Sequence, residues 1–327
     1  MDTLIFYTAW IILPILIEFI PSIYNFFILF KKKLKANCHK ELDFYPDITI
    51  IIPVYNSSAT LEACIQSIND SSYDNESIEI MLIDNGSKDN SFKIFQNCQL
   101  KFNKLAMNWM YSKQGKSKAL NKAIFNAKGK YIINIDSDGK LEKNALKNLI
   151  WKFENNKDVD CMTGSILIEP ALIEKSKRGF LHLFRKMEFF EYCQAFLASR
   201  NYESESNSIF TLSGAFSAFR KSIILKTQMY NTNTICEDTH LTFQVKHILK
   251  KKIHLCEDAL FFVDPIEDFN KFYTQRQRWQ IGELEVFHMF YRNKKHRNPF
   301  SIFMDKNTRT LLLDHTFSFP KFVLLLS

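Results

Sequence analysis

From Pro46 onward, short apolar runs alternate with stretches of helical periodicity. Ile48–Val54 (ITIIIPV) is β-branched and bounded by turn residues, the pattern of a strand buried on both faces. Ser57 or Ser58 then predicts a cap for a helix reaching residue 69, with Leu61, Cys64, Ile65 and Ile68 at helical spacing. Further strands are predicted at Ile78–Asp84, 105–111 and 131–136, helices at 115–127 and 144–153, and an extended segment at 159–168. Alternating strands and helices predict an α/β fold with a mainly parallel sheet. Such sheets bind ligands at the carboxyl ends of their strands. Those ends are acidic here: Asp84-Asn85-Gly86-Ser87 and Asp136-Ser137-Asp138-Gly139.

Both ends of the chain follow another pattern. Residues 4–30 are apolar, interrupted mainly by Pro14, Glu18, Pro21 and Asn25. A spanning helix needs about 20 such residues. Lys31, Lys32, Lys33 and Lys35 follow the run, the reverse of a cleaved signal peptide. The pattern predicts a membrane anchor over 1–35, with the main domain on the cytoplasmic face of the plasma membrane. Glu18 in mid-membrane would cost roughly 2.5–3.5 kcal/mol, so it should be protonated or face another helix. An interfacial or buried helix is the alternative reading. Residues 308–327 turn apolar again, like the start of a further, truncated membrane segment. The Phe- and Leu-rich stretch 180–196, with Arg185 and Lys186 interspersed, fits an amphipathic helix on the bilayer and a core helix equally well.

Composition narrows the classes. With 46% apolar and 24% charged residues in 327, the chain is neither disordered nor collagen-like. Only 8 Gly and 8 Pro, without a repeating period, exclude a solenoid. Seven cysteines with no CxxC pair argue against a disulfide framework or zinc site and for a reducing compartment. The net charge of +8 sits in clusters (31–35, 250–252, 294–297) rather than along one helix face, so no nucleic-acid partner is expected. Neither GxGxxG nor GxxxxGK[ST] occurs, which lowers the odds of a dinucleotide or P-loop enzyme. Asp136 and Asp138, one residue apart at a strand end, suit a hard divalent ion whose other positions go to phosphate oxygens and water. Taken alone, such a tripeptide also fits a turn or cap.

The combination is more specific than its parts. In order, the chain carries IIIPVYN (50–56), IDNGSKDNS (83–91), QGKSKALNKAI (114–124) and IDSDGKLEKNAL (135–146). LSGAFSAFRK (212–221), CEDTHL (236–241) and QRQRW (275–279) follow. Over about seven-tenths of its length it resembles the family 2 glycosyltransferases of the GT-A fold. The likeness is to the membrane-bound branch of cellulose, chitin, hyaluronan and poly-N-acetylglucosamine synthases. The resemblance implies a GT-A domain over 46–265, with the QRQRW helix and an interfacial segment over 266–300.

It also implies roles. Tyr55 and Asp84 would flank the uracil and ribose of a UDP-sugar, though a packed aromatic and an Asx-turn are the plainer readings. Lys116 would neutralise diphosphate charge at a helix start. Asp136 and Asp138 would hold Mg2+ or Mn2+, Asp136 touching ribose as well or instead. Asp238 would be the general base of an inverting transfer, with Glu237 beside it as the alternative. Ser213 and Gly214 would form a tight turn beside donor and acceptor. Gln275, Arg278 and Trp279, at i, i+3 and i+4, would present one helix face to diphosphate and acceptor. His240 reads as structural. The implied donor is UDP-GlcNAc or UDP-glucose, and the acceptor a saccharide or lipid-linked acceptor. Polymer synthases of this branch have several membrane helices, so an additional membrane subunit or a longer chain is expected. The rival readings are single-sugar transfer to a lipid phosphate or protein, and an inactive scaffold that kept the fold.

Overall fold

The computed structural model describes residues 20–35, 41–175, 179–266 and 268–292. The chain divides into two units, residues 1–40 and 41–327. In the first, helix α1 (Ile20–Lys35) carries exposed Tyr24, Phe26, Phe27 and Phe30. No helix among the described residues is long and apolar enough to cross a membrane. Most of the expected span at 4–30, and the apolar segment at 308–327, lie outside the described residues.

The second unit is built on an eight-stranded sheet of order β3-β2-β1-β4-β7-β6-β8-β5. Strands β1 (Ile48–Val54), β2 (Ile78–Asp84), β3 (Ala106–Tyr111) and β4 (Tyr131–Ile135) run parallel. Along β1 the pleat sends Ile50 and Ile52 to one face and Ile51 to the other, so a single β-branched run feeds two cores. Helices α2 (Leu61–Asn69) and α3 (Ser91–Lys101) complete one core, and α4 (Lys116–Asn126) the other. After the short β5 (Gly139–Leu141) and α5 (Ala145–Asn155), β6 (Cys161–Ile168) extends the sheet. Helices α6 (Pro170–Glu174), α7 (Phe180–Tyr192) and α8 (Arg200–Glu205) follow, then β7 (Phe216–Arg220) and α9 (Lys221–Ile224). Helix α10 (Glu237–Phe243), β8 (Ile253–Val263) and the long α11 (Phe269–Arg292) close the described chain.

Two expectations need correction. The helix expected from Ser57 or Ser58 begins only at Leu61, because the Ser57 carbonyl accepts from both Thr60 and Leu61 and closes a tight turn first. The single helix expected over 180–196 widens into a π-helical turn, Cys193–Ser199, and resumes as α8. Of the two readings of this stretch, its faces depart from the core-helix one: Phe180, Leu183, Met187 and Phe190 are exposed while Arg185 and Glu188 are buried.

Sheet direction fixes the site. Val54, Asp84, Tyr111 and Ile135 share the carboxyl edge of the parallel half. Strand β7 runs antiparallel to β4, with Ile135 opposite Phe216, so the loop entering β7 lies where β4 ends. The Asp136 N–H accordingly donates to the Ala215 carbonyl at 3.2 Å.

Candidate active site

Tyr55, Lys116, Asp136 and Asp138 line one open cleft at this edge, together with Asn85. Tyr55 is half exposed rather than packed in the core. Asp84 is buried, and its Oδ1 accepts the N–H of Ser87, three residues on, at 2.8 Å, which ties down the loop that follows β2. Asn85 beside it accepts the Gly115 N–H on Oδ1 at 2.6 Å. Gly115 has φ +128°, a left-handed value that suits glycine, and it opens α4 so that Lys116 is the first helical residue.

Lys116 is the hub. Its Nζ lies 2.5 Å from Asp136 Oδ1 and 3.4 Å from the Gly214 carbonyl. Burial works against its charge, but Asp136, Glu237 and Asp238 outweigh burial and push its pKa up to about 12. The loop residue Gly214 then reaches the expected base, its N–H donating to Asp238 Oδ2 at 3.1 Å. Asp238 Oδ1 accepts the Thr239 N–H at 2.7 Å, so both carboxylate oxygens are held by backbone donors at the start of α10. Two more bonds pin α10 to the same loop: Leu212 N–H to Thr242 Oγ1 at 2.8 Å, and Thr211 to Thr239 hydroxyls at 2.9 Å. Ser213 is buried, and its N–H donates to Thr163 Oγ1 at 3.1 Å. The Asp138 pKa is raised, by burial first and by Asp136 second, and that of Glu237 by burial and by Asp238.

Asp136 and Asp138 form a two-carboxylate site, and the described residues contain no cluster of three metal-ligating side chains. That donor set fits a hard cation whose remaining positions are completed by a substrate diphosphate and water, as the oxygen ligation of Mg2+ favours. His240 is structural, its ring nitrogens facing Asn231 Nδ2 at 3.2 Å and Gln244 Nε2 at 3.0 Å.

The QRQRW segment adds a residue that the sequence reading did not single out, Arg276. Arg278 is exposed, whereas Arg276 is inserted: it makes two bonds to Glu191, at 2.9 and 2.7 Å, and its guanidinium lies 4.5 Å from the Trp279 ring centre. Trp279 therefore has a face covered by Arg276 and an edge contact with Phe196, at 5.8 Å between ring centres. Gln275 accepts from Arg276. Only burial separates the two arginines, and their spacing along the helix carries no such signal. The motif helix packs directly on the base helix: a Cβ at Gly282 would fall 2.1 Å from Cys236 Sγ. Glu285 Oε2 accepts Thr234 Oγ1 at 3.0 Å and the Ile235 N–H at 3.1 Å.

Known proteins share this architecture. A mannosyltransferase, PcManGT from Pyrobaculum calidifontis, solved with GDP-Man and Mn2+, superposes with a TM-score of 0.67 at 18% identity, over 93% of this chain and 80% of that one. TarS of S. aureus, solved with UDP-GlcNAc, gives 0.50 at 17% identity over 68% of this chain and 59% of that one. The fold is thus GT-A-like. In sequence, poly-beta-1,6-N-acetyl-D-glucosamine synthase of Staphylococcus epidermidis is 28% identical over 82% of this chain, and that of Staphylococcus aureus 24% identical over 94%. The chain spans 62% of the length of the first relative and 73% of the second. Residues 49–227, more than half the chain, match the family described as "Glycosyl transferase family 2", and the protein belongs to that family.

Proposed function

We propose that this protein transfers a sugar, with inversion, from a UDP-sugar to a hydroxyl of a saccharide acceptor at the cytoplasmic face of a membrane. One observation carries the reading: a single residue, Gly214, touches Lys116 through its carbonyl and Asp238 through its N–H. The cation suited to a departing diphosphate and the carboxylate suited to an acceptor proton are thereby held by the two backbone groups of one residue.

The chemistry follows from those positions. Tyr55 and Asp84 receive the nucleoside, and Lys116 faces the diphosphate. Asp238 takes the proton from the acceptor hydroxyl as its oxygen bonds to the anomeric carbon. The bond from that carbon to the diphosphate oxygen breaks, and UDP leaves with the electron pair. Lys116 balances the charge that grows on the leaving group. Asp138, with Asp136, would hold Mg2+ or Mn2+, which when bound supplies Lewis-acid stabilisation of the diphosphate. Arg278 and Gln275 border the diphosphate and acceptor side, while Trp279 and Arg276 form the wall behind them.

UDP-GlcNAc is the donor favoured, because the relatives in sequence are named poly-N-acetylglucosamine synthases and the TarS neighbour binds UDP-GlcNAc. The outward apolar row of α7 supports a membrane-facing side of this unit. The test is release of the nucleoside diphosphate (UDP, or GDP from the mannose donor) by membranes containing the full chain, supplied with UDP-GlcNAc, UDP-glucose, UDP-galactose or GDP-mannose and Mg2+ or Mn2+. Release from UDP-GlcNAc with sugar appearing in a saccharide product is expected; a product ladder distinguishes chain growth from one added sugar. No release above background from any donor would overturn the proposal.

A further inference from the structure

Tied through Thr163 to the loop that holds the candidate base is a buried cation that none of the roles above uses. Arg200 is 6% exposed, and a guanidinium carries five N–H donors. Its only hydrogen bond among the described residues runs from Nη1 to Thr163 Oγ1, at 3.3 Å, and its Cζ lies 4.7 Å from the Phe196 ring centre. No carboxylate of the described residues forms an ion pair with it. Burial disfavours its charge, and Glu203, Asp238 and Glu283 are the carboxylates whose fields offset that cost. Asp238 is the candidate base itself.

The contact Arg200 makes is the informative one. A threonine hydroxyl has one proton to give and two lone pairs to receive with. At Thr163 all three are engaged: Oγ1 accepts from Ser213 N–H at 3.1 Å and from Arg200, and it donates to a carbonyl, with that of Phe216 at 3.2 Å. Ser213 is followed by Gly214, whose N–H holds Asp238 Oδ2. A continuous line therefore runs from Arg200 through Thr163 and the 213–214 peptide to the base. Arg200 is introduced into the interior immediately after the π-helical turn Cys193–Ser199, a helix distortion that recurs at functional sites.

We infer that Arg200 is a positioning residue for the acceptor-activating carboxylate, fixing the 213–214 turn through Thr163. The assignment rests on the reading of Asp238 as base. It separates Arg200 from Lys116: Lys116 meets the Gly214 carbonyl on the donor side, and Arg200 acts through the 213–214 amide on the acceptor side.

The experiment uses the full-length chain in membranes or detergent, with Arg200→Met, Arg200→Lys, Thr163→Val and the double variant Arg200→Met/Thr163→Val. Three quantities are read: kcat for UDP release, UDP affinity, and deuterium exchange at the amides of 212–216. Arg200→Met is expected to lower kcat about 100-fold, as for misplacement of a reacting group, with UDP affinity changed less than about threefold. Arg200→Lys should recover part of that loss. Thr163→Val should lower kcat about tenfold and speed amide exchange, and the double variant should be no slower than Arg200→Met, as coupled positions are non-additive. Unchanged kcat in Arg200→Met, or fully additive losses in the double variant, would overturn the inference. Should Arg200→Met fail to bind UDP, Thr163→Val decides alone, and unchanged kcat with unchanged exchange there sinks the relay. A wild-type chain that turns over no donor, yet shows accelerated exchange in Thr163→Val, removes the proposed activity while leaving the positioning contact standing.

Discussion

The Gly214 N–H lies 3.1 Å from Asp238 Oδ2, and a Cβ built on Gly214 would fall 2.9 Å from that same oxygen. The absence of a side chain at 214 is what lets the carboxylate approach the turn. Gly214→Ala should therefore push the Asp238 carboxylate aside rather than disturb the core. A displacement of about 1 Å costs about 10²-fold in rate, so kcat should fall by that order while UDP affinity holds. Steady-state kinetics beside calorimetric UDP titration checks this, and an Ala variant with normal kcat would refute it.

Asp238→Asn keeps the size of the side chain and removes its ability to take a proton. General-base contributions are typically about 10²–10⁴-fold, and a loss in that range is expected, with UDP binding nearly intact. Turnover at the wild-type rate would transfer the role of base elsewhere, with Glu237 the adjacent candidate.

Asp138→Ala removes the carboxylate of the pair that Lys116 does not contact. UDP affinity in the presence of Mn2+ should drop by about tenfold or more, while affinity in chelator should stay as in the wild type, because only the cation-dependent part depends on this oxygen donor. Titrations with and without Mn2+ separate the two. Equal losses in both would mean that Asp138 shapes the cleft rather than holding an ion.

Glu188 supplies a pH test. It is 2% exposed, its Oε2 accepts the Ile266 N–H at 3.0 Å, and Oε1 has no hydrogen-bond partner among the described residues. Burial pushes its pKa up to about 7 from an ordinary 4.5, only partly offset by the Ile266 bond and Arg276. A carboxyl group raised in the folded state contributes stability that is fully present below about pH 4.5 and is lost as pH rises through about 7. Glu188→Gln should therefore be more stable than the wild type at pH 8, on the order of 2 kcal/mol, and the advantage should vanish near pH 4.5. Thermal melts of the detergent-solubilised chain across that range would show it. A constant offset between the two proteins would rule out titration of Glu188 as the cause.

How much of this was readable before folding depends on the kind of signal. Strand β2 lies where its β-branched pattern predicts it, and β1 likewise, because a short apolar run bounded by turn residues marks a strand buried on both faces. The gathering of Tyr55, Lys116, Asp136 and Asp138 follows from parallel strands ending on one edge. The Ser57 turn was hidden because a serine that closes a turn and one that caps a helix look alike in sequence. Arg276 and Arg200 were hidden for a deeper reason: an arginine advertises charge, not whether a helix will rotate it inward, and a π-helical turn alters that rotation by a residue. Which of the two readings of the α7 stripe would hold was equally invisible, since a stripe of Phe and Leu gives its own position but not which partner covers it.

The tight seat between Gly282 and Cys236 makes that sulfur a natural gauge of the clamp between α11 and α10. The thiol is buried, and burial, seconded by Asp238, pushes its pKa up to about 12, so almost none is present as the nucleophilic thiolate. An alkylating reagent reaches it only when the two helices part. The pace of its labelling then counts those partings, and a saccharide or nucleotide that wedges or tightens the clamp announces itself at one sulfur atom.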